Sequence, residues 1–491
     1  MANTRQDLDL DTIKRKTVSG IVTFTLRSFF VQAFTFIATL ILTILLDPSI
    51  FGIFFVVSAI LNLFVYFSDI GLAAALIQKK EEPTDNDLKT SFTIQQIIVF
   101  TLVIIGLASS SRIAAFYHLD SSGLVLLRIL LFSLILSSLK TIPSIILERR
   151  LDFTKLVIPQ VAEHLVFYSI AIFFARNGLG LTSFTYAVLA RGIIGLILIY
   201  ILSPWKPGLT LNRQSAKRLV SFGIPFQLNS VLALLKDDLL TVFIGKILPY
   251  NQVGYVGWAQ KFAFMPLRFF MDNVIKVTFP AYSRLQHDKK ELTQAVEKSV
   301  FFVTFFVYPS IFGLLATAPY FVQLIPKYAK WEPALPLLYF FGINALFAAV
   351  NTTLTNTLFA IGKPKIVLNL MVIWTALTWI STYFLVIKFG FSGVGIASAL
   401  VAASTSVIIY FVKKNIPLSI LKNISGPLVI SALMFAFMTI FLKTFPNNYL
   451  TLLTTIMLGM LFYSLASFLV FGKSLIDKSK SVIGAFFGKS I

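Results

Sequence analysis

The sequence predicts an all-α polytopic membrane protein: about fourteen transmembrane helices, arranged as two pseudo-symmetric six-helix lobes with two C-terminal helices appended. Three observations carry that expectation. Of 491 residues, 57% are hydrophobic and only 13% are charged, with a mean hydropathy of +0.84. The roughly 280 apolar residues suffice for about fourteen spans at about 20 residues each. They fall in near-continuous runs of Leu, Ile, Val and Phe rather than ten-residue alternations, so they read as helices and not as barrel strands. Finally, Lys and Arg alternate in density from one connection to the next, as they do when successive loops face opposite sides of a bilayer. So little polar surface leaves no room for a sizeable soluble domain, which excludes a secreted enzyme, a disordered scaffold and a single-anchor receptor.

A polar segment, 1–16, precedes the first run. That run has about 28 apolar residues and no AxA-like cleavage site, too long for a signal-peptide core, so it is expected to be retained as a helix. The N-lobe is expected over 17–202, with spans at 17–45, 50–77, 92–110, 123–147, 156–176 and 182–202. A cytoplasmic linker follows at 203–220. The C-lobe, 221–412, has spans at 221–247, 253–281, 299–320, 335–360, 366–388 and 394–412; two further spans fall within 427–471, and 472–491 is a cytoplasmic tail. The segment from Asp288 to Lys298 reads as a short amphipathic helix on the inner surface.

Connections on the N-terminal side hold 27 of the Lys and Arg residues, and the opposite connections hold 7. The positive-inside rule therefore puts both termini in the cytoplasm of a multi-pass protein of the cytoplasmic (inner) membrane. The net charge of +21 is then topological, and no nucleic-acid partner is expected. With zero Cys, disulfides, zinc ribbons and iron–sulfur clusters are excluded. His118, His164 and His287 lack metal-ligand spacing, so no metal is expected. The longest external connection, 321–334, is too short to house the acceptor-binding domain of an enzyme that processes lipid-linked sugars. No GxSxG elbow and no Walker-type phosphate loop is present, which leaves no catalytic residues, no cofactor and no direct use of ATP.

The halves echo one another. Gly20 to Gly52 spans 32 residues and Gly223 to Gly254 spans 31; Lys155 and Gly178 are matched by Lys365 and Gly390 at offsets of 210 and 212. Six helices thus appear twice, a parallel duplication of the kind that puts a transporter's substrate near mid-membrane where its repeats meet.

Several stretches also carry a family likeness. Leu46-Asp47-Pro48-Ser49-Ile50-Phe51-Gly52 and Asp69-Ile70-Gly71-Leu72-Ala73-Ala74-Ala75-Leu76-Ile77-Gln78 resemble the first helix hairpin of the polysaccharide transporter family, in the multidrug/oligosaccharidyl-lipid/polysaccharide (MATE-like) superfamily. Glu148-Arg149-Arg150-Leu151-Asp152-Phe153, Gly254-Tyr255, Ala259-Gln260-Lys261 and Pro280-Ala281-Tyr282-Ser283 extend the likeness over essentially the whole chain. The resemblance implies a flippase that moves a polyprenyl-pyrophosphate-linked oligosaccharide across the membrane for O-antigen, capsule or exopolysaccharide assembly. A polysaccharide polymerase and glycosyltransferases are then its expected partners. The alternatives are a multidrug/cation antiporter of the same superfamily and a membrane enzyme acting on lipid-linked sugars.

Eight basic residues fall within spans: Arg27, Arg128, Lys140, Arg191, Lys236, Lys261, Arg268 and Lys276. Five acids join them: Asp69, Glu163, Asp237, Asp238 and Asp272. Each such charge costs about 2.5–3.5 kcal/mol at the bilayer centre, so these side chains are expected to face water or each other. An excess of cations suits an anionic cargo. On the eighth helix, Arg268 and Asp272 lie about 20° to either side of Lys261 and Lys276 about 60° away, a single wet face. Arg268–Asp272–Lys276 also has the spacing of i,i+4 pairs that simply neutralise each other.

Arg27 and Arg191 sit near mid-depth, where a permanently charged forked guanidinium matches phosphate oxygens; the bland reading pairs them with Asp69 or Glu163. Arg128 and Lys140 are about 120° apart on their helix and cannot both face one narrow site. The candidate cationic site is therefore Arg27, Arg191, Lys261, Arg268 and Lys276. Asp69, Glu163, Asp237, Asp238 and Asp272 are expected as charge partners, or as carriers of a coupling proton or sodium ion driven by its gradient.

Overall fold

The computed structural model describes the backbone of residues 10–79, 81–228 and 231–486, and side chains over 26–472 except 80, 225–226, 228–233, 272–273, 276–277 and 280. Among the described residues all regular structure is helical. The first half runs α1 (Leu10–Leu45), α2 (Pro48–Asp69), α3 (Leu72–Gln78), α4 (Asp85–Tyr117), α5 (Ser121–Leu139), α6 (Thr141–Arg149), α7 (Phe153–Arg176), α8 (Thr182–Leu202), α9 (Arg213–Leu228) and α10 (Val231–Ile247). The second runs α11 (Tyr250–Leu285), α12 (Lys289–Leu324), a 3-10 turn (Pro326–Ala334), α13 (Leu335–Ala360), α14 (Pro364–Phe389), α15 (Ser392–Ala403), α16 (Thr405–Asn415), α17 (Ile420–Thr444) and α18 (Tyr449–Phe486). Helices dominate because hydrocarbon offers backbone N–H and C=O groups no partner outside the chain, and a helix satisfies them within one segment.

Twelve segments among the described residues are long and apolar enough to cross a membrane. The expected count of fourteen is approximate for a physical reason. The described residues of segments 221–247 and 253–281 fall largely within α9, α10 and α11, but each segment carries four charged residues. Three expected spans are interrupted. The one at 50–77 breaks where Ile70 and Gly71 both take positive φ, 43° and 77°; the one at 123–147 breaks at Lys140, which closes α5 and opens α6; and the last of the C-lobe breaks at Ser404. Asp288 to Lys298 is no separate surface helix. Its residues form the first turns of α12, with Asp288 capping the start through the N–H groups of Lys290 and Glu291.

The chain divides into two compact units, Met1–Gly254 and Tyr255–Ile491. In the first, α7 packs on α8 and α1, α5 on α8, and α2 on α5 and α10. Sequence symmetry assigned 221–247 to the second lobe; the helices that hold it, α9 and α10, make their described contacts with α2, α3 and α4 of the first unit. In the second unit, α12 lies against α13 and α17, α15 against α13 and α14, and α18 against α17. Its 3-10 turn is buried through Tyr328 and Trp331. Trp258 donates from Nε1 to the Tyr328 hydroxyl at 3.0 Å and stacks on Trp331 at 5.7 Å between ring centroids.

Two kinds of joint hold the first unit together. Where α2 and the residues just after it meet α9, α10 and the start of α11, the joint is steric. A Cβ on Gly52 would lie 1.9 Å from the Tyr250 carbonyl oxygen, and one on Gly245 would lie 2.3 Å from the Val56 side chain. One on Gly71 would lie 2.3 Å from the Gly223 carbonyl oxygen. Between them Asn62 donates to Asp238 at 2.7 Å, and Gln227 donates to the Tyr66 carbonyl at 2.6 Å. Small residues at helix contacts let backbones approach closely where no hydrophobic effect drives association.

At the end of the unit that carries the basic loops, the joint is electrostatic. Asp87, 4% exposed, accepts from Lys79 and from Ser215, each at 2.7 Å, while completing a capping box with Thr84. Arg149 donates to the carbonyls of Leu76, Ile77, Lys79 and Glu81, stopping the C-terminal end of α3.

Two substitutions test these joints in purified protein. Gly52→Val should lower stability by about 3 kcal/mol, because the α2 and α11 backbones must separate. Gly178→Ala, at φ 78° with nothing within 4 Å, should cost only about 1 kcal/mol of backbone strain. A thermal-unfolding midpoint that falls equally in both would refute the close-approach account. Asp87→Asn breaks the buried pair with Lys79 and should destabilise by about 3 kcal/mol, read as an earlier midpoint that Lys79→Met in the same chain partly restores.

Candidate functional site

The densest group of intramembrane charges lies in the first unit, on four helices. α7 and α8 run antiparallel, and their facing positions interlock. A Cβ on Gly195 of α8 would sit 1.9 Å from Glu163 Oε1, so Glu163 lies flat against that glycine. One turn away on each helix, Arg191 holds its Cζ 5.5 Å from the centroid of the Phe167 ring. The cation faces the ring's negative π-surface. Phe167 is itself fixed among Phe54, Tyr168 and Phe184, the last two rings at 5.1 and 6.3 Å.

Lys140 reaches the same place from the break between α5 and α6. Its Nζ donates to Glu163 Oε1 at 2.6 Å, with the side chains 17% and 19% exposed, so the pair is mostly enclosed yet reachable. α1 closes the group. Phe34 meets Tyr168 edge-on at 6.1 Å, and Arg27, two turns before Phe34 on the same helical face, is half-buried with an Nε that has no hydrogen-bond partner. The charges of Arg27, Arg191 and Glu163 all reach His164, next to Glu163 on α7. Three cations thus stand near one acid, which Lys140 holds directly. Such a surplus in a mostly apolar setting is a ready site for an oxyanion with more than one charge.

Of the residues nominated from sequence, the structure brings together Arg27, Arg191 and Glu163. Lys140 was left out of the candidate site, although the angle argument said only that it and Arg128 cannot both face one narrow site; Lys140 faces Glu163, while Arg128 donates to the hydroxyls of Ser110 and Ser111. The signal of Lys140 was present as a cation within a span, but its direction was not. Asp69 does not join the group. Both its carboxylate oxygens accept from the Ala73 N–H at 3.3 Å, which caps α3 after the break in the second span. Asp238 takes the hydrogen bond from Asn62, and Asp237 lies 3.6 Å from Lys236 in an exposed pair.

Lys261 and Arg268 are exposed on α11, whose other face buries Ala259, Phe262, Ala263 and Met271. The side chains of Asp272 and Lys276 lie outside the described residues. Among the described residues no three of His, Cys, Asp and Glu cluster as metal ligands.

The chain is 23% identical over 319 residues to the succinoglycan biosynthesis transport protein ExoT of Rhizobium meliloti, covering 65% of this chain and 63% of that protein, which is less than two thirds of its length. It is 23% identical over 365 residues to the lipopolysaccharide biosynthesis protein WzxC of Escherichia coli, covering 72% of each. Among solved structures, the lipid II flippase MurJ in an inward closed conformation superposes with a TM-score of 0.72 at 18% identity, covering 94% of this chain and 99% of that one. An inward-facing multidrug-resistance MATE transporter superposes with a TM-score of 0.58 at 15% identity, over 77% and 95%. These two share the fold. The family model described as polysaccharide biosynthesis protein matches residues 41–336, more than half of the sequence, and the chain belongs to that family.

Proposed function

We propose that this protein is a flippase for a polyprenyl-pyrophosphate-linked oligosaccharide, carrying it across the cytoplasmic membrane by alternating access for O-antigen, capsule or exopolysaccharide assembly. One observation carries the reading: Arg27, Lys140 and Arg191 converge in the membrane-spanning part of the first unit with Glu163 as the acid among them. A pyrophosphate linkage brings two negative charges, which the surplus of two cations matches. The names of the relatives, a succinoglycan transport protein and a lipopolysaccharide biosynthesis protein, point to the same class of cargo.

The obstacle to moving such a lipid is its polar end. A charged group at the bilayer centre costs several kcal/mol, and forked guanidinium donors replace its lost hydration while the polyprenyl tail stays in lipid. Conformational exchange then exposes the site to one leaflet and afterwards to the other. Lys261 and Arg268, exposed on α11, and Lys276 are proposed as further anion contacts along the route. No bond of the cargo is made or broken, so the protein works as a carrier and not as an enzyme. Both termini are assigned to the cytoplasm on the basic-loop asymmetry. Direction comes from a proton or sodium gradient, or from consumption of the delivered unit by a polymerase, with glycosyltransferases supplying it from the cytoplasmic side.

Arg27→Gln and Arg191→Gln should each reduce surface polysaccharide at least tenfold in cells that depend on this protein for export, with unchanged amounts of protein in the membrane fraction. The Lys variants should retain more activity than the Gln variants, since charge is kept and only the fork is lost. Normal surface polysaccharide in both Gln variants would remove the pyrophosphate site. Uptake of a cationic dye by proteoliposomes, with no effect of either substitution on it, would favour the antiporter instead.

A further inference from the structure

The pairing of Lys140 with Glu163 has a role that neither the cargo site nor helix packing accounts for. A carrier that holds three cations for an anionic cargo faces a difficulty when it is empty. Unanswered charge in the membrane interior is costly, and a site built only of cations would also hold its cargo too well to let it go. Glu163 is placed to meet both demands. It is the acid that the structure brings to the cluster: Lys140 lies 2.6 Å from Oε1, and the carboxylate lies against Gly195 where any side chain would collide with it. Its neighbour on α7 is His164, and the other charged groups near that imidazole are Arg27 on α1 and Arg191 on α8. Arg191 is turned toward the Phe167 ring and Arg27 keeps an unpartnered Nε. Lys140 is thus the cation whose ammonium group is held by the acid.

We propose that Glu163 is a resident counter-anion, displaced from Lys140 by the pyrophosphate of the bound cargo and reclaiming Lys140 as the cargo leaves. The inference rests on the flippase reading above and adds to it a residue that lowers affinity in order to raise turnover. When the cargo phosphates arrive, Lys140 exchanges one oxyanion for another, and Glu163 moves aside within a pair already partly open to solvent. On release the reverse exchange returns the site to a low-charge state. An internal competitor makes the binding constant weaker than the three cations alone would give. Since only the difference between cargo-bound and empty states counts, removing that competitor must tighten binding even as it slows the cycle.

The test measures binding and transport separately on the full chain. Farnesyl pyrophosphate serves as probe, titrated against detergent-purified protein, and export is read as surface polysaccharide in cells. Glu163→Gln should bind the probe about tenfold more tightly than the native chain, and export should fall severalfold. Lys140→Gln should bind about tenfold more weakly. In the double variant the tightening caused by Glu163→Gln should vanish, because its target is gone.

Gly195→Ala provides a second route that keeps every charge. Its Cβ forces Glu163 off Lys140, so it too should tighten binding, and it serves if Glu163→Gln fails to fold. A merely structural ion pair would instead lose affinity, export and thermal midpoint together in both variants. Binding no tighter than native in Glu163→Gln and Gly195→Ala would overturn the proposal while leaving the flippase reading in place, as would full tightening persisting in the Lys140→Gln background. If the native chain binds no farnesyl pyrophosphate, the flippase reading and this inference fall together.

Discussion

Charge inside a hydrocarbon layer has to be answered, and in this protein the answer is uneven. Most of the chain avoids the question: long apolar helices keep their backbone groups paired within themselves, and most of the basic residues lie in connections. Where ions do enter the first unit, some are neutralised locally. Lys79 and Asp87 form a buried pair, and Asp69 spends its charge on the N–H that follows a helix break. Around α7 and α8 the balance is left positive, with Glu163 set among Arg27, Lys140 and Arg191. That residual imbalance separates this group from a packed core.

The architecture was largely legible in the sequence because the rule that governs it is written residue by residue. Hydrophobic runs of about 20 residues and the asymmetry of Lys and Arg locate spans with little reference to the rest of the fold. The family likeness also read correctly, and its landmarks at Pro48, Gly52, Gly71 and Gly254 are turn and packing residues in this chain. Breaks within spans were harder to see. Ile70-Gly71 and Lys140 lie inside apolar stretches that continue past them, and nothing local announces that the helix stops.

Arg27 and Arg191 were recognisable because an arginine near mid-depth is costly wherever it points. Lys140 shared its span with Arg128, and their angle on a helix said only that one of the two must face elsewhere; Lys140 turns to Glu163 and Arg128 to Ser110 and Ser111. Gly195 gave no chemical signal at all; its contribution is an absent side chain that leaves room for Glu163. Asp69 and Asp238 looked equivalent to Glu163 in sequence, yet one is absorbed by a backbone N–H and the other by Asn62. Partner choice is a tertiary fact, and spacing along one helix cannot disclose it.

The contact of α2 and the residues just after it with α9, α10 and the start of α11 works as a ruler. Gly52 meets Tyr250, Val56 meets Gly245, Asn62 meets Asp238, Tyr66 meets Gln227 and Gly71 meets Gly223, each step forward on one strand of the ladder matched by a step back on the other. Losing a single residue from the middle of α2 would swing every later rung by about 100° and set side chains where two backbones now touch. Within α2 a change of length keeps the register only when it is made by whole turns and matched on the facing side.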